Sequence, residues 1–357
     1  MCERFDQVPR VIRQRAHQPA WGGSTSTGEY SVVFGIVPTA GVKSIKNTIG
    51  HDNSTTIGNK LRELGYFSCA YHNGYQTYYD RDKTHPGLGY DDYIAKGNGL
   101  EEGLSGVWPE SDLEMMEYTL PQYIDKQPFS VYYMTISGHC NYGPGSNTMS
   151  KKNMHVLDSF EGSAFVKGFL ACNMELEYAM EYTISELEKA GIADDTVIVI
   201  STDHYPYGLE NSSAWGTDKD YLSELYGYSY SNVKERDHSA LIIWSGCLED
   251  DEPPVIATPT YSLDILPTLC NLFGVDYDSR LLVGRDVFSN EQPLVMWTNG
   301  TWLTEKGFYN TSSGKFTPSP DAGEVSDSYI SEVKQTVRGL INFSKKVLEL
   351  DYYKYFK

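Results

Sequence analysis

The sequence predicts an α/β fold: a mainly parallel sheet flanked by helices on both faces, with a small C-terminal appendage made of a hairpin and an amphipathic helix. Three observations carry this. Short apolar strands alternate with segments of helical period along most of the chain. Residues 129–136 (FSVYYMTI) are rich in β-formers and almost continuously apolar or aromatic, the pattern of a strand covered on both faces. The polar residues with chemical potential follow directly on strand ends, where open parallel sheets collect their ligands.

Residues 1–20 carry Arg4, Arg10, Arg13 and Arg15 in an otherwise acidic chain and keep neither a helical nor a strand period. They read as an irregular or truncated lead-in. The main domain is expected over 21–292 and the appendage over 293–357. Ser26-Thr27-Gly28-Glu29 has the form of a capping box, and Tyr30, Val33 and Phe34 follow at helical spacing, so a helix is expected from about Thr27. Another helix ends at Leu61 to Leu64, stopped by Gly65, before a strand over 67–71. Met180, Ile184 and Leu187 mark a helix over 174–190 with Gly191 as its C-cap; the strand 197–201 follows and runs into Thr202-Asp203-His204. A buried strand is expected over 240–244. Residues 262–273 read as a helix that tolerates Pro267 as a kink or first-turn residue. Beyond residue 293, Trp297, Trp302 and Tyr309 among Asn, Gly and Ser suggest the hairpin, and 317–322 (TPSPDA) reads as a loop. Val333, Val337, Leu340, Ile341 and Val347 form the stripe of a terminal helix, whose Lys334, Arg338, Lys345 and Lys346 suit a solvated face or a membrane surface.

Composition limits the function. With 29 Lys+Arg against 48 Asp+Glu the formal charge is −19, which repels polyphosphate and argues against nucleic acid as a partner. An anionic substrate therefore needs a local device, a metal or an arginine. No apolar run approaches the roughly 18 residues of a membrane span, and no signal peptide is visible after Met1. The six cysteines include no CxxC pair and read mostly as core thiols.

Four segments can carry chemistry. Asp203-His204, directly after an apolar strand, can face a divalent cation; the alternative is an Asp N-cap with an incidental His. The stretch Gly22 to Gly28 places hydroxyls before a helix, where free N–H groups favour an anion and a metal-bound Ser or Thr becomes a nucleophile; a plain helix cap is the alternative. His72 and Thr77-Tyr78-Tyr79-Asp80-Arg81-Asp82 follow a strand, and Arg81 suits either a bidentate anion contact or a surface ion pair with Asp80 or Asp82. His139, after Ser-Gly at a strand end, suits a phosphate donor or an acid, or a loop histidine satisfied by backbone. His238 is a further candidate, with an ion pair to Asp237 or Glu235 as its alternative. No C/S-x-P-x-R motif precedes the helix, which argues against a formylglycine-dependent sulfatase.

The ordered set Gly23-Ser24-Thr25-Ser26…Glu29-Tyr30, Tyr71-His72…Thr77-Tyr78-Tyr79-Asp80-Arg81-Asp82…Leu88-Gly89-Tyr90, Thr135-Ile136-Ser137-Gly138-His139, Ser201-Thr202-Asp203-His204-Tyr205-Pro206-Tyr207-Gly208-Leu209 and S-L-D-I-L-P-T-L-C-N-L-F-G over 262–274 resembles the lipoteichoic acid synthase family. These are phosphoglycerol transferases of sulfatase fold in the alkaline phosphatase superfamily. The resemblance runs from about Trp21 to the C-terminus. It implies Thr25 as a metal-bound nucleophile, one divalent cation (Mn²⁺, with Mg²⁺ or Zn²⁺ as alternatives) on Thr25, Asp203 and His204, and headgroup contacts from His72, Tyr79, Arg81 and His139. The family's remaining ligand is an upstream glutamate, for which Glu3 in Met1-Cys2-Glu3-Arg4-Phe5 is the candidate, with Arg4 where the family has serine. The implied partners are an anionic phospholipid headgroup and a glycerol-phosphate polymer or related cell-envelope acceptor, at the extracellular face of the membrane. A phosphodiesterase, a phosphoethanolamine transferase, a sulfuric ester hydrolase or a truncated non-catalytic remnant of the same fold are the alternatives.

Overall fold

The computed structural model describes residues 24–143, 145–214, 216–248 and 256–356. In chain order the helices are α1 (Thr25–Phe34), α2 (Ile57–Glu63), α3 (Arg81–Thr84), α4 (Asp112–Tyr123), α5 (Thr148–Asn153), α6 (Ala164–Lys189), α7 (Leu222–Tyr226), α8 (Val233–Arg236), α9 (Ile265–Phe273) and α10 (Asp327–Leu350). The strands are β1 (Phe67–Tyr75), β2 (Asp92–Lys96), β3 (Phe129–Met134), β4 (Ile198–Ser201), β5 (Leu241–Trp244), β6 (Val295–Met296), β7 (Trp302–Thr304), β8 (Gly307–Asn310) and β9 (Lys315–Pro318).

β1 lies between β2 and β3 and is parallel to both, with His72 opposite Ala95 on one side and Met134 on the other. The period-two alternation of β1 sends Ala70 to a face covered by Tyr30, Val33 and Phe34 of α1 and by Val347 and Leu348 of α10. Cys69 and Tyr71 go to the other face, against Met115, Met116 and Leu120 of α4 and Ala179 of α6. Helices therefore cover both faces, as expected for parallel strands that cannot leave either face to water.

β4 and β5 form a separate antiparallel pair that packs through Leu241 and Ile243 on Ile265 and Leu272 of α9. β3 and β4 are not hydrogen-bonded to each other. Between them runs an apolar seam, part of a cavity of about 1410 Å³ lined along β3 from Phe129 to Met134 and along β4 from Ile198 to Ser201. All six residues of β3 and all four of β4 are consequently only half-buried. The expectation of a strand covered on both faces over 129–136 holds for β3, with Phe129, Val131 and Tyr133 packed on the α4 and α6 side and Tyr132 on the α1 side, while among the described residues only β1 pairs with its edges.

The remaining differences are local. The helix expected from Thr27 begins at Thr25, with Ser24 at the N-cap position, and Glu29 turns inward instead of closing a capping box. The helix expected over 174–190 starts ten residues earlier, at Ala164, capped by the Ser163 hydroxyl on Val166 N–H, and ends before Gly191 at φ 71°. Pro267 occupies the first turn of α9, where a missing N–H costs nothing. β6 to β9 form a four-stranded antiparallel meander, so Thr317 and Pro318 belong to a strand and not to a loop. The stripe of α10 packs Val337 against Trp297, Trp302 and Phe308, while Lys345 and Lys346 pair with Glu349 on its solvated side. Of the described cysteines, Cys69, Cys140, Cys172 and Cys270 are buried and Cys247 is half-buried, all unbridged. Among the described residues no helix is long and apolar enough to cross a membrane.

Candidate active site

The seam opens at the carboxyl ends of β1, β3 and β4, and there the cavity wall contains Thr25, His72, Tyr79, Arg81, His139, Asp203 and His204. Seven of the eight residues that the family resemblance implicates thus share one cavity. The eighth, Glu3, lies outside the described residues.

Thr25 is the first residue of α1, partly exposed, at the helix end where N–H groups lack intrahelical acceptors and favour an anion. One turn on, Gly28 lies so close to β4's end that a Cβ there would meet the Asp203 carbonyl oxygen at 2.1 Å. This contact brings the hydroxyl-rich turn to the Asp203-His204 pair. His204 places Nδ1 2.8 Å from the Tyr205 carbonyl oxygen, so Nδ1 carries the hydrogen and Nε2 keeps a lone pair. Nε2 lies 3.3 Å from Asp203 Oδ2, and Asp203 Oδ1 accepts from the His204 N–H at 2.9 Å. A backbone carbonyl on Nδ1 that leaves Nε2 beside a carboxylate is an arrangement metal-ligating histidines use. Among the described residues no three His, Cys, Asp or Glu side chains converge on one point. The donors present, one carboxylate, one imidazole and the Thr25 hydroxyl, fit a hard or borderline divalent cation as part of a ligand set.

The other wall is built by β1 and the turn after it. His72 donates Nδ1–H to the Met134 carbonyl at 2.9 Å, which leaves Nε2 as the acceptor facing Arg81 Nη1 at 3.4 Å. Burial, followed by the Arg81 charge, holds the His72 imidazole down to about 3, so it is neutral through the physiological range. Gly74 makes this possible, because a Cβ there would meet His72 Nε2 at 2.4 Å. Tyr79 and Asp80 both adopt left-handed backbone, at φ 57° and 56°, a conformation costing on the order of 1 kcal/mol or more per non-glycine residue and concentrated at functional sites. The turn brings the Tyr79 hydroxyl to 3.5 Å from Ser24 Oγ and its ring to 5.4 Å from the Arg81 guanidinium.

Arg81 does not make the surface ion pair with Asp80 or Asp82 that the sequence offered as its alternative. It is 1% exposed, and its Nε donates to both oxygens of Glu29 at 3.2 and 3.3 Å. Asp80 instead pairs with Lys46 at 2.6 Å and Lys83 at 2.7 Å. His139 sits on a loop held from below: Asp112 accepts from Ile136 N–H, Ser137 N–H, the Ser137 hydroxyl and Asn73 Nδ2, and Asn147 Nδ2 donates to the His139 carbonyl at 2.9 Å. His238 also lines the cavity, while Asp237 accepts from Arg236 Nε and Trp297 Nε1. Sequence reasoning missed Glu29 and Asp112 as builders of the site. Glu29 was visible as the last residue of an apparent capping box and within the first motif, and no local pattern marks Asp112.

The profile of the sulfatase family, described simply as Sulfatase, matches residues 18–275. The chain belongs to that family. Among curated relatives, the lipoteichoic acid synthase of Staphylococcus saprophyticus is 25% identical over 292 residues, covering 79% of this chain and 42% of that protein. The Staphylococcus aureus (strain USA300) lipoteichoic acid synthase is 23% identical over a 374-residue alignment, covering 99% of this chain and 53% of its own length. The chain therefore spans about half the length of these relatives. The solved structure of the lipoteichoic acid synthase LtaP from Listeria monocytogenes superposes with a TM-score of 0.73 at 18% identity, over 97% of this chain and 86% of that one. A protein in the alkaline phosphatase superfamily from Vibrio parahaemolyticus gives 0.65 at 18%, over 99% and 81%. These superpositions establish the sulfatase and alkaline-phosphatase-like fold.

Proposed function

We propose that this chain is a metal-dependent phosphotransferase of the lipoteichoic acid synthase type, which moves a phosphoglycerol group from a phospholipid through a covalent intermediate on Thr25. The observation that carries the reading is the packing of Gly28, one turn after Thr25, on the backbone of Asp203, together with the single cavity that Thr25, Asp203 and His204 line with His72, Tyr79, Arg81 and His139. The relatives named as lipoteichoic acid synthases support it, as does a phosphoglycerol transferase, GacH of Streptococcus pyogenes, solved with sn-glycerol-1-phosphate and similar in fold at a TM-score of 0.51.

Asp203, His204 and Thr25 would hold one divalent cation, most simply Mn²⁺, which when bound neutralises phosphoryl charge and lowers the pKa of a neighbouring hydroxyl. Thr25 Oγ1 attacks the phosphorus of a donor such as phosphatidylglycerol. The bond from phosphorus to the diacylglycerol oxygen breaks, and diacylglycerol leaves with a proton. The N-terminal amides of α1 face the developing negative charge. His72, Tyr79, Arg81 and His139 orient the glycerol-phosphate group, which contributes the advantage of fixed geometry. A glycerol hydroxyl of an acceptor, or water, then attacks the phosphorus and releases Thr25. This chemistry belongs at a membrane surface, where the donor headgroup is presented.

The test is metal content and Mn²⁺-dependent thermal shift of the purified chain, beside Asp203→Ala and Thr25→Ala, followed by diacylglycerol release from phosphatidylglycerol vesicles. The expected result is about one Mn²⁺ per chain, a shift abolished in Asp203→Ala, and a phosphoglycerol adduct found by mass spectrometry on the Thr25 peptide and absent in Thr25→Ala. A chain that takes up no cation and releases no diacylglycerol would overturn the assignment.

A further inference from the structure

The group under the headgroup wall is a directed chain of hydrogen bonds that begins at Glu29. This carboxylate is wholly buried on α1, on the same side as Thr25 because the two are four residues apart. Arg81 Nε donates to it at 3.2 and 3.3 Å, Arg81 Nη2 lies 3.1 Å away, His85 Nε2 lies 3.1 Å away, and the Tyr132 hydroxyl donates at 3.4 Å. With Nε hydrogen-bonded to Glu29 and Nη2 beside it, Nη1 lies on the other edge of the planar guanidinium and directs one of its two N–H groups at His72 Nε2 at 3.4 Å. The Met134 carbonyl takes the His72 Nδ1–H from the other side. A carbonyl only accepts and a guanidinium only donates, so His72 is held between them in one neutral tautomer.

We propose that Glu29 is a positioning residue of the active site: through Arg81 it fixes both the guanidinium plane and the Nδ1–H tautomer of His72, so that the headgroup wall is set before substrate arrives. This rests on the reading that His72 and Arg81 meet the phosphoglycerol group. The carboxylate also balances the Arg81 charge in a place closed to water, where an unpaired guanidinium would be far too costly to remain. A Gln at position 29 keeps the shape but removes the charge and one acceptor oxygen, and Arg81 is then free to turn its donors elsewhere.

The test reads His72 directly. Nitrogen-15 NMR of the metal-free full chain gives the tautomer of each imidazole without substrate, and His72→Gln assigns the signal. In the wild type we expect a single Nδ1–H tautomer for His72. In Glu29→Gln we expect that signature to change and KM for the phosphatidylglycerol headgroup to rise roughly tenfold with kcat little altered, with partial recovery in Glu29→Asp. If Glu29→Gln fails to fold, the double variant Glu29→Gln with Arg81→Met removes the unpaired charge and is read in its place, with the His72 signature still expected to be lost. A folded variant of either kind whose His72 signal matches the wild type overturns the proposal. Absence of turnover in the wild type would defeat the phosphoglycerol reading alone, since the NMR comparison decides the role of Glu29 without it.

Discussion

The two sides of β3 are built by opposite rules. On the β1 side, His72, Glu29, Arg81 and His85 form a buried polar cluster in which the Arg81 charge is paired with the Glu29 carboxylate. On the β4 side, half-buried Val131, Ile198 and Ile200 line an apolar seam among the described residues. The polar side is over-determined, because a wrong partner there strands a buried charge. The apolar side tolerates loose contact, because dispersion lost at a gap costs only fractions of a kcal/mol per atom pair.

This contrast breaks first at Glu29. Removing the carboxylate in Glu29→Ala leaves Arg81 buried and unpaired and is expected to destabilise by about 3–5 kcal/mol in urea titration. A loss under about 1 kcal/mol would mean that the cluster is as forgiving as the seam. The apolar comparison is between two aliphatic truncations. Leu266→Ala, fully buried in α9, is expected to cost about 3 kcal/mol, and Ile200→Ala on the seam about 1 kcal/mol, because part of the space it vacates is already open. Equal losses would show that the seam closes in solution.

Acid separates the sides as well. The Glu29 carboxyl is pushed up by burial but pulled further down by Arg81 and His85, to about 2 from an ordinary 4.5. It is therefore ionised in the fold, and its stabilisation is present above about pH 4.5 and lost as the pH falls towards 2. His72 is lowered from 6.5 to about 3, so the unfolded chain binds a proton that the fold refuses, and stability falls as the pH drops from 6.5 towards 3. His72→Gln is expected to flatten the upper part of this acid limb, and Glu29→Gln the lower part, in melting temperatures taken from pH 7 to 3. The smallest expected effect is a gain: Val131→Ile adds a methylene at the seam and is expected to stabilise by about 0.5 kcal/mol.

What could be read from the sequence follows the range of the signals. The strand ends before Asp203 and His139, the helix ending before Gly191 and the ordered motifs were legible because each is written in adjacent residues. The partner of Arg81 was not, since Glu29 lies 52 residues away and its spacing to Ser26 imitates a capping box. The left-handed turn at Tyr79 and Asp80 carries neither glycine nor asparagine to announce it. The seam was hidden for a different reason: a run such as 129–136 reports how apolar a strand is, and says nothing of whether a neighbour lies along its edge. The antiparallel direction of β5 also depends on tertiary pairing rather than on its own residues.

The contact between Gly28 and Asp203 has a mechanical consequence. The nucleophile candidate rides on α1, which packs Tyr30, Val33 and Phe34 over the β1 side and Val32 on the β5 and α9 side, and the Asp-His pair follows directly on β4 across the seam. With no side chain at position 28, the two backbones touch and act as a weld at the mouth. The register between the first turn of α1 and the end of β4 is therefore set by backbone contact and not by a side chain that could repack.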